Sequence, residues 1–305
     1  MKQKYSLLFG GMLVLVLGLV GCGVKVEEPQ VILEKMTKAM SQIEQMEFAG
    51  DFKLTGKSNL ALLQGLNDLL VSGSGKINLL DIKDLRYLLN VTISGMSSEG
   101  KTEIGAELRS FPDLNYFRLT DIAVPLGLPF SLSADNKWYK IKSNNTDQNN
   151  ILGATSPLNN DQVVQIRQLI AQSKLFNVVQ KFPDETVFGT RTYHWQISFE
   201  ETALRQLVNS WINITGNQDQ VNSQKLSAML SDYNYEVWIN KRDYHIIKAT
   251  VNGWYDNEEN QQVDFLVNIS LSGFNTRQDI SRPTNNAEEF NLRQLLGLPS
   301  GTLSQ

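Results

Sequence analysis

Tyr235-Glu236-Val237-Trp238-Ile239-Asn240, then Lys241-Arg242-Asp243-Tyr244, then His245-Ile246-Ile247-Lys248-Ala249 (residues 235–249) decides the fold. Tyr235, Val237 and Ile239 alternate with Glu236, Trp238 and Asn240. A charged turn, Lys241-Arg242-Asp243, follows. Ile247, Ala249 and Val251 then alternate with Ile246, Lys248 and Thr250. Period-2 alternation with one polar face is the mark of antiparallel strands that bury one side.

The pattern extends in both directions. Downstream, Asp256–Asn260 reads as a turn, and Phe265, Val267, Ile269 and Leu271 alternate with polar neighbours. Upstream, a turn at Gly189-Thr190 precedes Tyr193, Trp195, Ile197 and Phe199. Further back come Phe48, Gly50, Phe52 and Leu54, then Ile77 and Leu79. Leu85, Tyr87, Leu89, Val91 and Ile93 follow, then Ile104, Ala106 and Leu108, then Asn115–Thr120 and Trp138–Ile141. Ser97–Gly100 reads as a hairpin turn and Gly73-Ser74-Gly75 as a turn or bulge.

Between these strands the period shifts to 3.6. Pro29 opens a helix with Ile32, Met36, Ala39, Met40, Ile43 and Met46 on one side. Asn160-Asp161 caps a second helix carrying Val163, Ile166, Leu169, Ile170 and Phe176. Leu204, Leu207, Val208, Trp211 and Ile212 mark a third, and a short helix ends near Leu230. Asn59–Val71, rich in leucine, fits a short helix packed on the sheet or an apolar flap at a cavity mouth or membrane surface. Ser143–Asn160 reads as an exposed polar connector. A weak helix, Ala287–Leu296, is stopped by Gly297. The fold class is α+β: an antiparallel sheet with helices packed on it. Residues 29–280 form that domain and 281–305 a tail.

The composition excludes several functions. The 305 residues carry 28 Lys+Arg and 32 Asp+Glu, a net charge of -4, with no basic surplus for nucleic acid. One cysteine excludes internal disulfides and multi-thiolate zinc sites. The two histidines, His194 and His245, lie in strand patterns without metal-ligand spacing; for each, an exposed or hydrogen-bonded strand histidine is the plain reading. Ser98-Glu99-Gly100-Lys101 matches a Ser-x-x-Lys pattern without its companions. Asp256–Asn260 lacks the spacing of a calcium loop. No phosphate-cradling glycine loop occurs. The reading is of a non-enzyme, with no catalytic residue, metal or cofactor.

Residues 1–21 read as a signal segment. Lys2 and Lys4 precede the apolar run Leu7–Val20, whose 14 residues are short of the roughly 20 that span a bilayer as a helix. A transmembrane anchor is the competing reading. Leu19-Val20-Gly21-Cys22 resembles the bacterial lipoprotein lipobox, with the chain's one cysteine in the position that such lipoproteins acylate. That resemblance implies acylated Cys22 as the mature N-terminus and a lipid-anchored, extracytoplasmic place at the cell membrane. Loss of Lys2 and Lys4 takes the charge from -4 to -6. Residues 22–28 form the tether; Gly23–Glu28 reaches about 20 Å at most, which holds the folded body close to the bilayer.

Several stretches together resemble the LolA/LppX/LprG-like lipoproteins. They are Gly189–Ile197 followed by a helix, Tyr235–Lys248 with its "V-W-I-N-K" and "H-I-I-K-A" strands, Phe48-Ala49-Gly50-Asp51-Phe52, and Lys137–Ile141. Proteins of this kind form a half-open barrel with helices in its concavity, and many carry acyl chains there. The Leu-rich insertion and the Asn-rich stretches depart from the compact members. The resemblance implies a membrane-anchored carrier of a lipid or other hydrophobic molecule. The candidate lining is Phe52, Leu54, Tyr87, Leu89, Val91, Tyr193, Trp195, Ile197, Val237, Ile239, Phe265 and Val267. The same residues could instead pack on Met36, Met40 and Trp211 and leave no cavity. A surface scaffold for a protein or envelope polymer is the alternative function.

Overall fold

A computed structural model describes residues 27–55, 67–81, 84–97, 100–123, 136–142, 159–215, 223–256, 262–283 and 287–289. The helices are α1 (Pro29–Ser41), α2 (Asn160–Gln172), α3 (Glu201–Thr215) and α4 (Ser223–Ser231). The strands are β1 (Gln45–Thr55), β2 (Asn67–Asn78), β3 (Arg86–Ser97), β4 (Gly100–Ser110), β5 (Leu114–Ala123), β6 (Tyr139–Lys142), β7 (Phe176–Lys181), β8 (Glu185–Val187), β9 (Thr190–Phe199), β10 (Asn234–Asn240), β11 (Ile246–Asp256), β12 (Gln262–Ser272) and β13 (Glu288–Glu289).

All thirteen strands join one sheet in the order β13-β6-β5-β4-β3-β2-β1-β12-β11-β10-β9-β7, with β8 paired to β9 beside this path. Every pairing is antiparallel except β13 with β6. Among the described residues the sheet does not close on itself. The fold is the α+β curved half-barrel that the resemblance implies.

Register defines two faces, because residues directly opposite each other share a side. Val237 lies opposite Trp195 and Ala249, and Ala249 opposite Ile269. Ile269 faces Gly50, Gly50 faces Gly73, Gly73 faces Val91, and Val91 faces Ala106. This inner face is apolar from β9 to β4. The outer face carries His194, Glu236, Lys248, Asn268, Asp51 and Glu107.

The helices pack on one another in chain order and touch the sheet chiefly at β7 and β9. Pro at the start of α1 fits there because the first-turn N–H has no intrahelical partner. The helix lays Ile32, Leu33 and Met36 on Trp195, Ile197, Val237 and Ile239, all buried. Asn159 caps α2 reciprocally with Gln162. Gln162 then donates to the Ile214 carbonyl at 2.5 Å, which ties α2 to α3.

After β12 the chain runs as a strap along one rim. The Asn275 amide donates to the Gln45 carbonyl at 2.8 Å, and the Gln278 amide to Gln45 Oε1 at 2.6 Å. Ile280 then buries itself with Phe111, Tyr116 and Trp138. The buried Glu107 carboxylate binds Arg109 and Arg118, and both guanidinium groups lie 4.8 Å from the Trp138 ring centre. Arg109 also donates to the Ser281 carbonyl at 2.8 Å, so this cluster fastens the strap.

Several expectations change. The distal part of the Leu-rich stretch, residues 67–71, is strand, not helix: Leu69 is buried, Leu70 exposed and Val71 half-buried, a period of two. Residues 59–66 lie outside the described residues, as do 1–26, 143–158 and 257–261. Gly73-Ser74-Gly75 is the middle of β2 in regular register, not a turn. The α1 stripe stops before Met46, which begins the inner face of β1, and Phe176 begins β7 rather than continuing α2. The α2 cap is Asn159. A bulge at Trp238/Ile239 brings Ile246, not Ile247, opposite Ile239. Glu288 and Glu289 form β13 where the weak tail helix was expected to begin; their amide and carbonyl groups complete the edge of β6. Residues 290–296 are outside the described residues.

Candidate functional site: the inner face of the half-barrel

The twelve candidate lining residues all fall on the inner face. Tyr193, Trp195 and Ile197 on β9 stand opposite Ile239, Val237 and Tyr235 on β10. Phe52 and Leu54 on β1 stand opposite Val267 and Phe265 on β12. Tyr87, Leu89 and Val91 on β3 stand opposite Ile77, Gly75 and Gly73 on β2. The strands bring them onto one surface but into two environments.

On β9 and β10 the face is covered. Trp195, Ile197, Val237 and Ile239 are buried under α1, and Tyr193 packs at their edge. Ile239 has no exposure at all. There Met36 does act as packing for these residues, as the cavity-free reading expects. On β12, β1, β2, β3 and β4 the face is half-buried. Phe52, Tyr87, Leu89, Val91, Phe265 and Val267 each keep partial exposure. Of the candidates there Leu54 alone is buried, in a cluster with the equally buried Leu69 and Val263 that Phe52, Val71, Ile93 and Phe265 border. Trp211, on α3, is 42% exposed.

In the centre of this half, Gly50 and Gly73 face each other, and Gly75 stands opposite Phe48. A Cβ on Gly50 would meet the Asn268 carbonyl oxygen at 2.3 Å, and one on Gly75 would meet the Phe48 ring at 2.6 Å. Backbone and ring approach too closely there for any side chain. A Cβ on Gly73 meets nothing closer than 3.4 Å. Of the three, Gly73 alone leaves room for a side chain. Sequence reading missed the close approach at Gly75 because the Gly-Ser-Gly signal points equally to a turn.

The site has little polar chemistry. Burial pushes the Tyr193 and Tyr233 phenols up and takes Tyr235 to about 12; Tyr235 donates instead to the Leu230 carbonyl at 2.7 Å. Tyr233 packs edge-on against Phe265 at 4.8 Å. Such a surface binds by exclusion of water, not by directional bonds.

The titratable cluster is on the opposite, outer face. His194 Nδ1 lies 2.8 Å from Glu185 Oε1 and its Nε2 3.1 Å from Glu236 Oε2. The imidazole is stacked between Phe182 and Trp238 at 4.4 and 4.2 Å. Trp238 Nε1 donates to Glu185 at 3.0 Å; that bond, then His194, holds the Glu185 carboxyl below its ordinary range. The two carboxylates lie on different sides of one ring, so the three groups do not converge on a point. Among the described residues no set of three or more His, Cys, Asp or Glu side chains is placed to hold a metal. His194 is hydrogen-bonded on the polar face, as its strand position predicts. The same residues show no helix long and apolar enough to cross a membrane.

No family model matches the chain, and no curated protein matches it. Among solved structures it is similar to LprF from Mycobacterium bovis, at 11% identity and a TM-score of 0.45 over 84% of this chain and 97% of that one. It is also similar to a β-barrel-like protein with a domain of unknown function from Brucella abortus, at 9% identity and a TM-score of 0.28 over 74% of this chain and 98% of that one.

Proposed function

We propose that this chain is a non-enzymatic, membrane-anchored lipoprotein that holds an acyl chain or similar hydrophobic molecule on the open half of its inner face. The observation that carries this reading is the half-buried apolar surface of Phe52, Val71, Leu89, Val91 and Val267, which lies outside the cluster that α1 buries. Each guest methylene sheltered there contributes about 0.8 kcal/mol, so a chain of ordinary fatty-acid length binds firmly without a polar anchor. Acylated Cys22 supplies the attachment, and the body sits on the extracytoplasmic face. Native mass spectrometry of the purified protein tests the carrier: bound lipid is expected, and Gly73→Leu, which adds a bulky side chain in the middle of that surface, should displace it. A protein that is always empty overturns it. Intact mass tests the Cys22 modification independently.

A scaffold for a protein or envelope polymer has its own supporting observation. Leu70, Met96 and Trp254 are exposed apolar side chains on the outer face, at the strand ends remote from α1; Trp254 is 57% exposed. If that reading holds, Trp254→Ser removes a partner while bound lipid stays absent.

A further inference from the structure

We infer that the rim formed by the β8–β9 hairpin tip and the β10–β11 turn is a bilayer-contact surface, with the Phe188 ring entering the headgroup–acyl boundary. Three segments meet at this rim. The Lys241 amide donates to the Arg191 carbonyl at 3.1 Å, and its ammonium pairs with Asp184, so the turn and the hairpin are joined. Tyr244 Oη donates to Glu27 Oε2 at 2.9 Å, and Lys35 bonds both groups. The chain leading back to Cys22 therefore leaves from this rim.

Phe188 stands at the hairpin tip. It is 72% exposed, and its backbone lies in the left-handed region at φ 51, beside Gly189 at φ 77. A two-residue turn of this form favours Asn or Gly at its first position. A bulky ring there costs backbone strain and exposes apolar surface, and it serves no packing within the fold. A ring at the acyl boundary recovers that exposure. Arg191 and Arg242 are exposed on the two joined segments and, among the described residues, form no salt bridge. Carboxylates share the rim: Glu27 pairs with Lys35, Asp184 pairs with Lys241, and Glu28 and Asp243 are exposed. These charges balance, so the apolar ring and not a surplus of cations makes the contact.

Chain length decides the occupant. Cys22 to Glu27 is five Cα steps, about 18 Å at most, so a membrane holding Cys22 is within reach of this rim. This step rests on the proposed acylation, and the test separates the two. The full chain, purified from membranes, is placed in vesicles of phosphatidylglycerol and phosphatidylcholine or in neutral detergent, and amide exchange is followed. Slower exchange at 186–192 and 241–245 in vesicles is expected, lost in Phe188→Ser and kept in Phe188→Trp. Equal exchange in both media, or protection that Phe188→Ser leaves intact, overturns the inference. Intact mass of the same sample reports Cys22: an acylated protein without rim protection sinks the rim alone, and rim protection without acylation sinks the anchor alone.

Discussion

Two halves of one apolar face carry the same alternation and meet different fates. On β9 and β10, Trp195, Ile197, Val237 and Ile239 are sealed by α1. On β1 to β3, Phe52, Val71, Leu89 and Val91 are chemically alike and remain half-exposed. What differs is α1, whose buried cluster takes in the first four and none of the second four. The covered half is a core, where packing fixes the energy. The other half has the composition of a core but keeps solvent-reachable surface.

Substitutions can break that comparison. In the covered half, Trp195→Ala should cost about 3–5 kcal/mol and Met36→Ala about 2–5 kcal/mol, read from denaturant midpoints. Gly50→Ala comes next, at about 1–3 kcal/mol, because its methyl meets the Asn268 backbone oxygen. Leu89→Ala in the open half should cost clearly less than Met36→Ala, since less of its surface is removed from water, yet it should weaken lipid retention in native mass spectra. A Leu89→Ala loss as large as that of Met36→Ala would erase the distinction between the halves. Gly73→Ala should leave stability nearly unchanged, as ordinary contact distances allow.

The smallest expected effect is acid-dependent and lies on the outer face. Glu185 has a lowered folded value, through Trp238 and then His194. Its contribution is therefore present above the ordinary carboxylate range and lost as pH falls through the lowered value. The Trp238 indole N–H resonance should hold steady at mildly acidic pH and shift below that range, and Glu185→Gln should abolish the shift. Tyr235 should ionise only near its raised value of about 12, in ultraviolet titration.

Much of this was legible in the sequence. Alternation placed all twelve candidate residues on one face of the sheet, because the pleat has a period of two whatever the strand order. It could not show which of them α1 covers, since cover depends on where a helix lands. Leu69-Leu70-Val71 misled because leucine runs suit either period, and only pairing with Lys53 and Phe52 decides for strand. Gly73-Ser74-Gly75 misled because close approach and turning both select glycine. The His194 stack was beyond reach: Glu185, His194 and Glu236 come from three strands, and no local pattern joins them.

The pairing of β1 with β12 joins residue 45 onward to a segment that ends at 272. A chain made from its N-terminus must wait for nearly its whole length before the sheet is continuous. Until then β1 to β6 form a separate ribbon with a free edge and an uncovered greasy side, a state prone to self-association. Contacts so distant in sequence also make for slow maturation. The order of synthesis thus leaves the more open half of the sheet waiting longest for its neighbours.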